Sequence, residues 1–232
     1  MLSNSPYGEF RGLNINFMIQ GVIFDLDGVI VSTDELHYQG WKHMADTEGI
    51  YFDREINERL RGVSRMESLE IILEKATKKY TPTQKEALAT LKNDFYKTLL
   101  SSKLGPNDIL PGVKEVLAGL KSKGAKIAIG SSSKNTPTIL KQIGLDKTFD
   151  AVSDGNNITN SKPDPEVFLK AAQMIGLKPE VCLVVEDAEA GITAALAGNM
   201  KALAVGSAIT DKRAHCAASD LSKITVEKML SL

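Results

Sequence analysis

Four short runs of aliphatic and β-branched residues, QGVIFD (20–25), KIAIG (126–130), VCLVVED (181–187) and KALAVG (201–206), lie between stretches with helical signals. Each is apolar without alternation, the pattern of a strand covered on both faces. From residue 104 onward these runs alternate with helices. TPTILKQIG (136–144) has Thr136 as cap, Pro137 in the first turn and Gly144 at the end. A second helix opens at Asp164 and Pro165 and runs to about Gly176, and a third spans AEAGITAALAGN (188–199). The alternation predicts an α/β fold, a Rossmann-like parallel sheet core with helices on its faces.

Residues 33–103 break this rhythm, reading as helices with no strand between them. The first carries capping residues at Ser32 to Asp34, the next a capping box of Ser64 with Glu67, and another opens on Thr81, Pro82 and Gln84. KLGPNDILPG (103–112) then punctuates the return of the chain. The expected organisation is an N-terminal extension at 1–17, an α/β core from 18–32 and 104–232, and an inserted helical cap domain at 33–103. Residues 1–17 are polar and aperiodic. They read as a loosely ordered extension or as residues ahead of an alternative start at Met18.

Composition excludes several classes. The 43% hydrophobic and 25% charged residues are ordinary for a packed soluble domain. A formal net charge of −1 gives no footprint for nucleic acid or an anionic membrane, and no apolar run approaches a membrane span. Cys182 and Cys216 are too few for a disulfide framework, and no secretory signal layout opens the chain, so a cytoplasmic protein is expected. The NIT at Asn157 is then not a glycosylation site. The even charge distribution leaves a monomer as the default.

Ligands of open α/β sheets sit beyond the carboxyl ends of the strands. Asp25, Ser131 to Ser133, and Glu186 with Asp187 all fall there. Carboxylates converging in this way repel one another, so either some stay protonated or a cation holds them. Hard oxygen ligands favour Mg²⁺ over zinc. Lys162, in NSKPDP, can add a positive charge to the same pocket, and the arrangement suits a phosphoryl group. Asp25 and Asp27 are two apart on an extended chain, so their side chains point the same way about 7 Å apart. Asp25 can then act as nucleophile and Asp27 as general acid and base, with Gly28 allowing the sharp turn between strand and cap.

VIFDLDGVI, IAIGSSS, SKPDP and VVEDAEAGI together resemble the motifs of the haloacid dehalogenase-like superfamily, across residues 19–206. The insert resembles that superfamily's helical cap. Within it, FDLDGVI, LHYQGWKHMADTEGI, INERLRGVSRMESL, LKNDFYK, SSSKN and NSKPDPEVF are most similar to the β-phosphoglucomutase family. That resemblance implies interconversion of β-D-glucose 1-phosphate and glucose 6-phosphate through β-glucose 1,6-bisphosphate, which also serves as primer, with Mg²⁺ as cofactor. It implies Asp25 as the nucleophile that forms an aspartyl-phosphate, Asp27 as acid and base, and Ser131 with Lys162 as the phosphoryl-binding pair. The implied magnesium ligands are Asp25, the Asp27 carbonyl, Glu186 and Asp187. The phosphate not being transferred would meet Gly62, Val63, Ser64 and Arg65 of the cap and Ser132, Ser133, Lys134 and Asn135 of the core. His37 and Lys92 match cap positions that couple sugar binding to closure, with Trp41 beside them as a substrate contact. The chain departs from the pattern at Val31 and Ser32, at Ser132 in place of a common alanine, and at Arg61 in place of a common lysine.

A mutase must exclude water and grip a second phosphate, for which a lid and Arg65, a planar bidentate donor, are suited. The alternative is a Mg²⁺-dependent sugar-phosphate phosphatase. A catalytically silent sugar-phosphate sensor would have lost Asp25, Asp27 or Lys162, and all are present. A dehalogenase would need neither Asp27 nor a metal. GLKSKGAK (119–126) lacks the ending of a nucleotide-binding phosphate loop and reads as a helix end before a strand.

Overall fold

The computed structural model describes residues 19–60 and 63–232, so the expected extension at 1–17 and the candidate Gly62 lie outside the described residues. Six strands form one parallel sheet: β1 (Gly21–Phe24), β2 (Lys126–Gly130), β3 (Ala151–Ser153), β4 (Cys182–Glu186), β5 (Lys201–Ala204) and β6 (Cys216–Ala217), in the order β3-β2-β1-β4-β5-β6. The helices are α1 (Asp34–Glu48), α2 (Arg54–Glu58), α3 (Arg65–Leu73), α4 (Pro82–Lys103), α5 (Val113–Ser122), α6 (Thr136–Gln142), α7 (Glu166–Met174), α8 (Glu189–Ala197) and α9 (Val226–Leu230). The chain moves from β1 to one side and later returns to the other. This opens a crevice at the carboxyl ends of β1 and β4.

Both sheet faces are buried, as the unbroken apolar runs predict. Val22, Phe24, Ile127, Ile129, Leu183, Val185 and Leu203 pack with α5, α6 and α9 on one face. The alternate residues Ile23, Ala128, Cys182, Val184, Ala202 and Ala204 face α7 and α8. Small residues let these helices sit close: a Cβ on Gly130 would lie 2.6 Å from the Phe168 ring. Register then fixes the site. Phe24 pairs with both Ile129 and Val185, so Asp25, Gly130 and Glu186 stand side by side where the strands end.

The helical block α1–α4 has its own apolar core of Trp41, Met44, Ala45, Ile56, Leu69, Ile72 and Leu88. The far half of α4 joins the main core instead, through Tyr96, Leu99 and Leu100. Capping boxes at Ser64/Glu67 and Thr81/Gln84 start α3 and α4 as expected. Two details differ from expectation. Asn135, not Thr136, is the N-cap of α6, because the Thr136 hydroxyl turns back to the Ser133 carbonyl. Thr33 precedes α1 without capping it; its hydroxyl donates to Asp27. Among the described residues no helix is long and apolar enough to cross a membrane.

Candidate active site

The helical cap and the strand ends together line a cavity of ≈ 460 Å³. Its floor is built from three strand ends and one loop. Asp25 continues β1, and its N–H bonds the Val185 carbonyl. Lys162 arrives from the loop before α7, buried, and donates to Asp25 Oδ1 at 2.5 Å and to Glu186 Oε2 at 2.7 Å. Burial works against the lysine's charge, but Asp25 and Glu186 outweigh it and hold its pKa above the ordinary value. Gly28 has φ 78°, and a Cβ there would fall 2.0 Å from Asp187 Oδ2, so only glycine lets the turn pass beneath that carboxylate.

Oxygens of Asp25, Glu186 and Asp187 lie within 4.8 Å of one another. Burial raises Glu186 to about 7, with Lys162 opposing and Asp25 adding to the rise. Burial also raises Asp187 to about 8, reinforced by repulsion from Asp25 and Glu186. One lysine therefore does not neutralise the cluster. Three converging carboxylates with surplus negative charge fit a hard divalent cation.

Asp27 points away from this cluster towards the cap. Its Oδ1 accepts the Thr33 N–H at 2.9 Å and the Thr33 hydroxyl, which accepts from Tyr96 in turn. Its Oδ2 is 3.9 Å from His37 Nε2. Burial lifts its pKa to about 7 against the Thr33 bonds, although 26% of the side-chain surface still faces the cavity. On its other side His37 meets the Lys92 ammonium, with Nδ1 at 2.9 Å. Burial, then the charges of Lys92 and Arg65, push His37 well below the ordinary histidine value. Neutral His37 with Nδ1 accepting from Lys92 carries its proton on Nε2, facing Asp27.

Lys92 is 2% exposed and lies over the rings of Tyr96 and Trp41, at 4.4 and 4.9 Å from their centroids. Burial, aided by Arg65, lowers its pKa to about 7 from 10.5. Between those values the unfolded chain holds a proton the folded chain has lost, so this group's contribution to stability rises with pH across the window. The cost of burying it is greatest below pH 7. Lys92→Met should therefore stabilise the fold by about 2 kcal/mol at pH 7, with a gain that shrinks towards pH 10, while slowing turnover. Paired thermal melts from pH 6 to 10 check this; a gain that holds constant with pH would contradict it.

The cavity is also lined by Val63, Ser64 and Arg65 from the cap and by Ser132, Ser133, Lys134 and Asn135 from the core. No carboxylate lies within ion-pair distance of Arg65 or Lys134 among the described residues. Burial lowers the Arg65 pKa. Two of the three serines serve the loop itself: Ser131 Oγ accepts from Ser133 N–H and Ser133 Oγ from Asn135 N–H, both at 3.2 Å. Ser131 keeps its O–H for a ligand. Ser132 Oγ is the buried side-chain polar atom that has no partner among the described residues. Asn135 Nδ2 donates to Asn93 Oδ1 of α4 at 2.9 Å, tying core to cap.

The structure thus brings every described candidate to one cavity. Trp41 is 3% exposed and belongs mainly to the cap core, touching the cavity only as wall. Thr33, Asn93 and Tyr96 were not singled out from sequence. Tyr96 had a signal, standing four residues after Lys92 on the same helical face.

The comparisons with known proteins agree with this geometry. Residues 19–199 match the family model of haloacid dehalogenase-like hydrolases. The β-phosphoglucomutase of Bacillus subtilis is 44% identical over 211 residues, covering 90% of this chain and 93% of that protein. A phosphorylated carbohydrates phosphatase of Thermotoga maritima is 30% identical over 220 residues, covering 92% and 98%. The crystal structure of β-phosphoglucomutase from Clostridium difficile superposes with a TM-score of 0.86 at 39% identity, covering 91% of this chain and 95% of that one. With its motif residues on adjacent strand ends beneath a helical cap, this chain belongs to the haloacid dehalogenase-like hydrolase family.

Proposed function

We propose that the chain is a Mg²⁺-dependent phosphomutase that interconverts β-D-glucose 1-phosphate and glucose 6-phosphate. The observation that carries this reading is a cavity under the cap lined by two sets of candidate phosphate-binding residues. Asp25, Lys162 and Ser131 would hold the reacting phosphate; Arg65, Lys134 and Asn135 line the same cavity and would hold the other, and neither cation pairs with a carboxylate among the described residues. A monoester phosphatase needs only the first. The similarity to the Bacillus subtilis mutase supports the choice of sugar. The Thermotoga maritima relative supports the competing phosphatase reading.

In the proposed cycle Asp25 carries the phosphoryl group as an aspartyl-phosphate. A sugar hydroxyl attacks the phosphorus, the bond to Asp25 breaks with its electron pair returning to the carboxylate, and Asp27 takes the hydroxyl proton. The bisphosphate turns end for end. Asp25 then attacks the other phosphorus, and the departing sugar oxygen receives the proton that Asp27 holds. Lys162 and the Ser131 O–H hold the phosphoryl oxygens throughout, while the far phosphate rests on Arg65, Lys134 and Asn135. Asp25, Glu186, Asp187 and the Asp27 carbonyl would hold Mg²⁺, which when bound offsets charge on the transferring group. The cap, residues 33–103, excludes water so that the sugar hydroxyl is the acceptor. The working form in this reading is a cytoplasmic monomer acting on a small hexose phosphate.

A coupled assay for glucose 6-phosphate tests the reading. β-Glucose 1-phosphate should be converted, with a lag removed by catalytic amounts of β-glucose 1,6-bisphosphate. Release of glucose and inorganic phosphate at an equal or greater rate, with no effect of primer, would overturn it in favour of the phosphatase.

A further inference from the structure

The loop at 154–165 supplies Lys162, and Thr159 and Ser161 of the same loop line the cavity, yet it contains neither helix nor strand. A lysine on irregular backbone has many places to go. Here its ammonium is held between two carboxylates at 2.5 and 2.7 Å. What fixes the loop is α7. Glu166, the first residue of that helix, spreads its carboxylate across two consecutive backbone donors: Oε1 accepts Thr159 N–H at 2.9 Å and Oε2 accepts Asn160 N–H at 2.7 Å. Lys162 lies inside the ring these bonds close.

Other contacts from the same helix hold the same loop. Lys170, one turn on, donates to the Asn157 carbonyl. Asp164 links the Ser161 carbonyl to the Glu166 N–H, donating its own N–H to the first and accepting the second at 2.9 Å. Phe168, fully buried, sets its ring 4.7 Å from the Lys162 ammonium. A single nine-residue helix thus supplies both the surface under the lysine and the clamp on its loop. Glu166 itself is not among the residues lining the cavity. Its carboxyl is held below the ordinary range by the Asn160 and Thr159 N–H groups, so it is an anion near neutral pH.

We infer that Glu166 is a positioning residue: by clamping Thr159 and Asn160 it holds Lys162 where the phosphoryl group must sit. This rests on the reading of Lys162 as a phosphoryl-binding residue, but not on which acceptor takes the phosphoryl group.

The test is a double-mutant cycle in the full chain with Mg²⁺ present, using p-nitrophenyl phosphate hydrolysis and the mutase assay in parallel. Glu166→Ala should lower kcat about tenfold with KM within about twofold. Glu166→Gln, whose one oxygen can still accept a single N–H, should fall between. In a Lys162→Met background Glu166→Ala should cost less than about twofold, because its target is gone. Hydrogen exchange at the Thr159 and Asn160 amides should quicken at least tenfold in Glu166→Gln at unchanged melting temperature, a readout that does not require Lys162→Met to fold. Equal losses in both backgrounds, or faster exchange with unchanged kcat, would overturn the proposal. Coupling seen in hydrolysis by a chain with no mutase flux would leave it standing and remove the mutase reading.

Discussion

Asp27→Asn should lower turnover roughly a thousandfold while leaving the fold and cation affinity close to those of the parent chain. The selectivity follows from how the two carboxylate oxygens are used. Oδ1 is structural: it accepts the Thr33 N–H and hydroxyl at the junction between β1 and the cap, and an amide oxygen can accept both. Oδ2 faces His37 at 3.9 Å and borders the cavity. In the proposed cycle it is the oxygen that would trade a proton with the sugar, and the amide that replaces it cannot do so. The cation cluster is formed by the side chains of Asp25, Glu186 and Asp187, so the substitution leaves it untouched. Steady-state turnover, a thermal melt and Mg²⁺ titration by calorimetry check the three parts. Turnover within tenfold of the parent would remove Asp27 from proton transfer. Loss of cation binding in step with turnover would assign it to the metal instead.

The strand ends were legible because burial on both faces leaves a strong signature: an apolar run stops where the first polar residue meets the crevice. Asp25, Ser131 and Glu186 each mark such a stop. β3 and β6 were not legible, since three and two residues at the sheet's ends cannot display a pattern. Local chemistry was readable where partners are near in sequence, as in the capping boxes at Ser64 and Thr81. It failed where a distant group competes. Thr33 has the residue type of a cap, but its hydroxyl serves Asp27 six positions back and accepts from Tyr96 sixty-three positions on. The Asn93–Asn135 bond joins residues 42 apart, across cap and core, and no local pattern encodes it. Glu166 stood one residue past SKPDP, where it reads as an ordinary acidic start to a helix.

Arg65→Ala should cut mutase flux about a hundredfold while changing hydrolysis of a small phosphate monoester by less than about threefold. Arg65 begins α3, where a cation is mildly unfavourable for the helix dipole, and the capping box at Ser64 and Glu67 holds that first turn without it. The guanidinium lines the cavity, burial depresses its pKa, and no carboxylate pairs with it among the described residues. Asp94 and Glu86 favour the charge only from beyond ion-pair distance and do not outweigh burial, so removing this half-buried cation should not unfold the cap. A bidentate guanidinium–phosphate contact contributes about 2–3 kcal/mol, which converts to the hundredfold expected for a substrate whose far phosphate reaches it. A monoester such as p-nitrophenyl phosphate engages only Lys162, Ser131 and the strand-end carboxylates, and has nothing to place against Arg65. Lys134 lines the same cavity from the core, so in the proposed cycle cap and core would each contribute a cation to the second phosphate, which could draw the lid shut. Arg65→Lys should recover part of the flux through charge alone, without the planar fork. Equal losses for the bisphosphate-forming reaction and the monoester would place Arg65 in general cap stability and leave the second anion site without its main support.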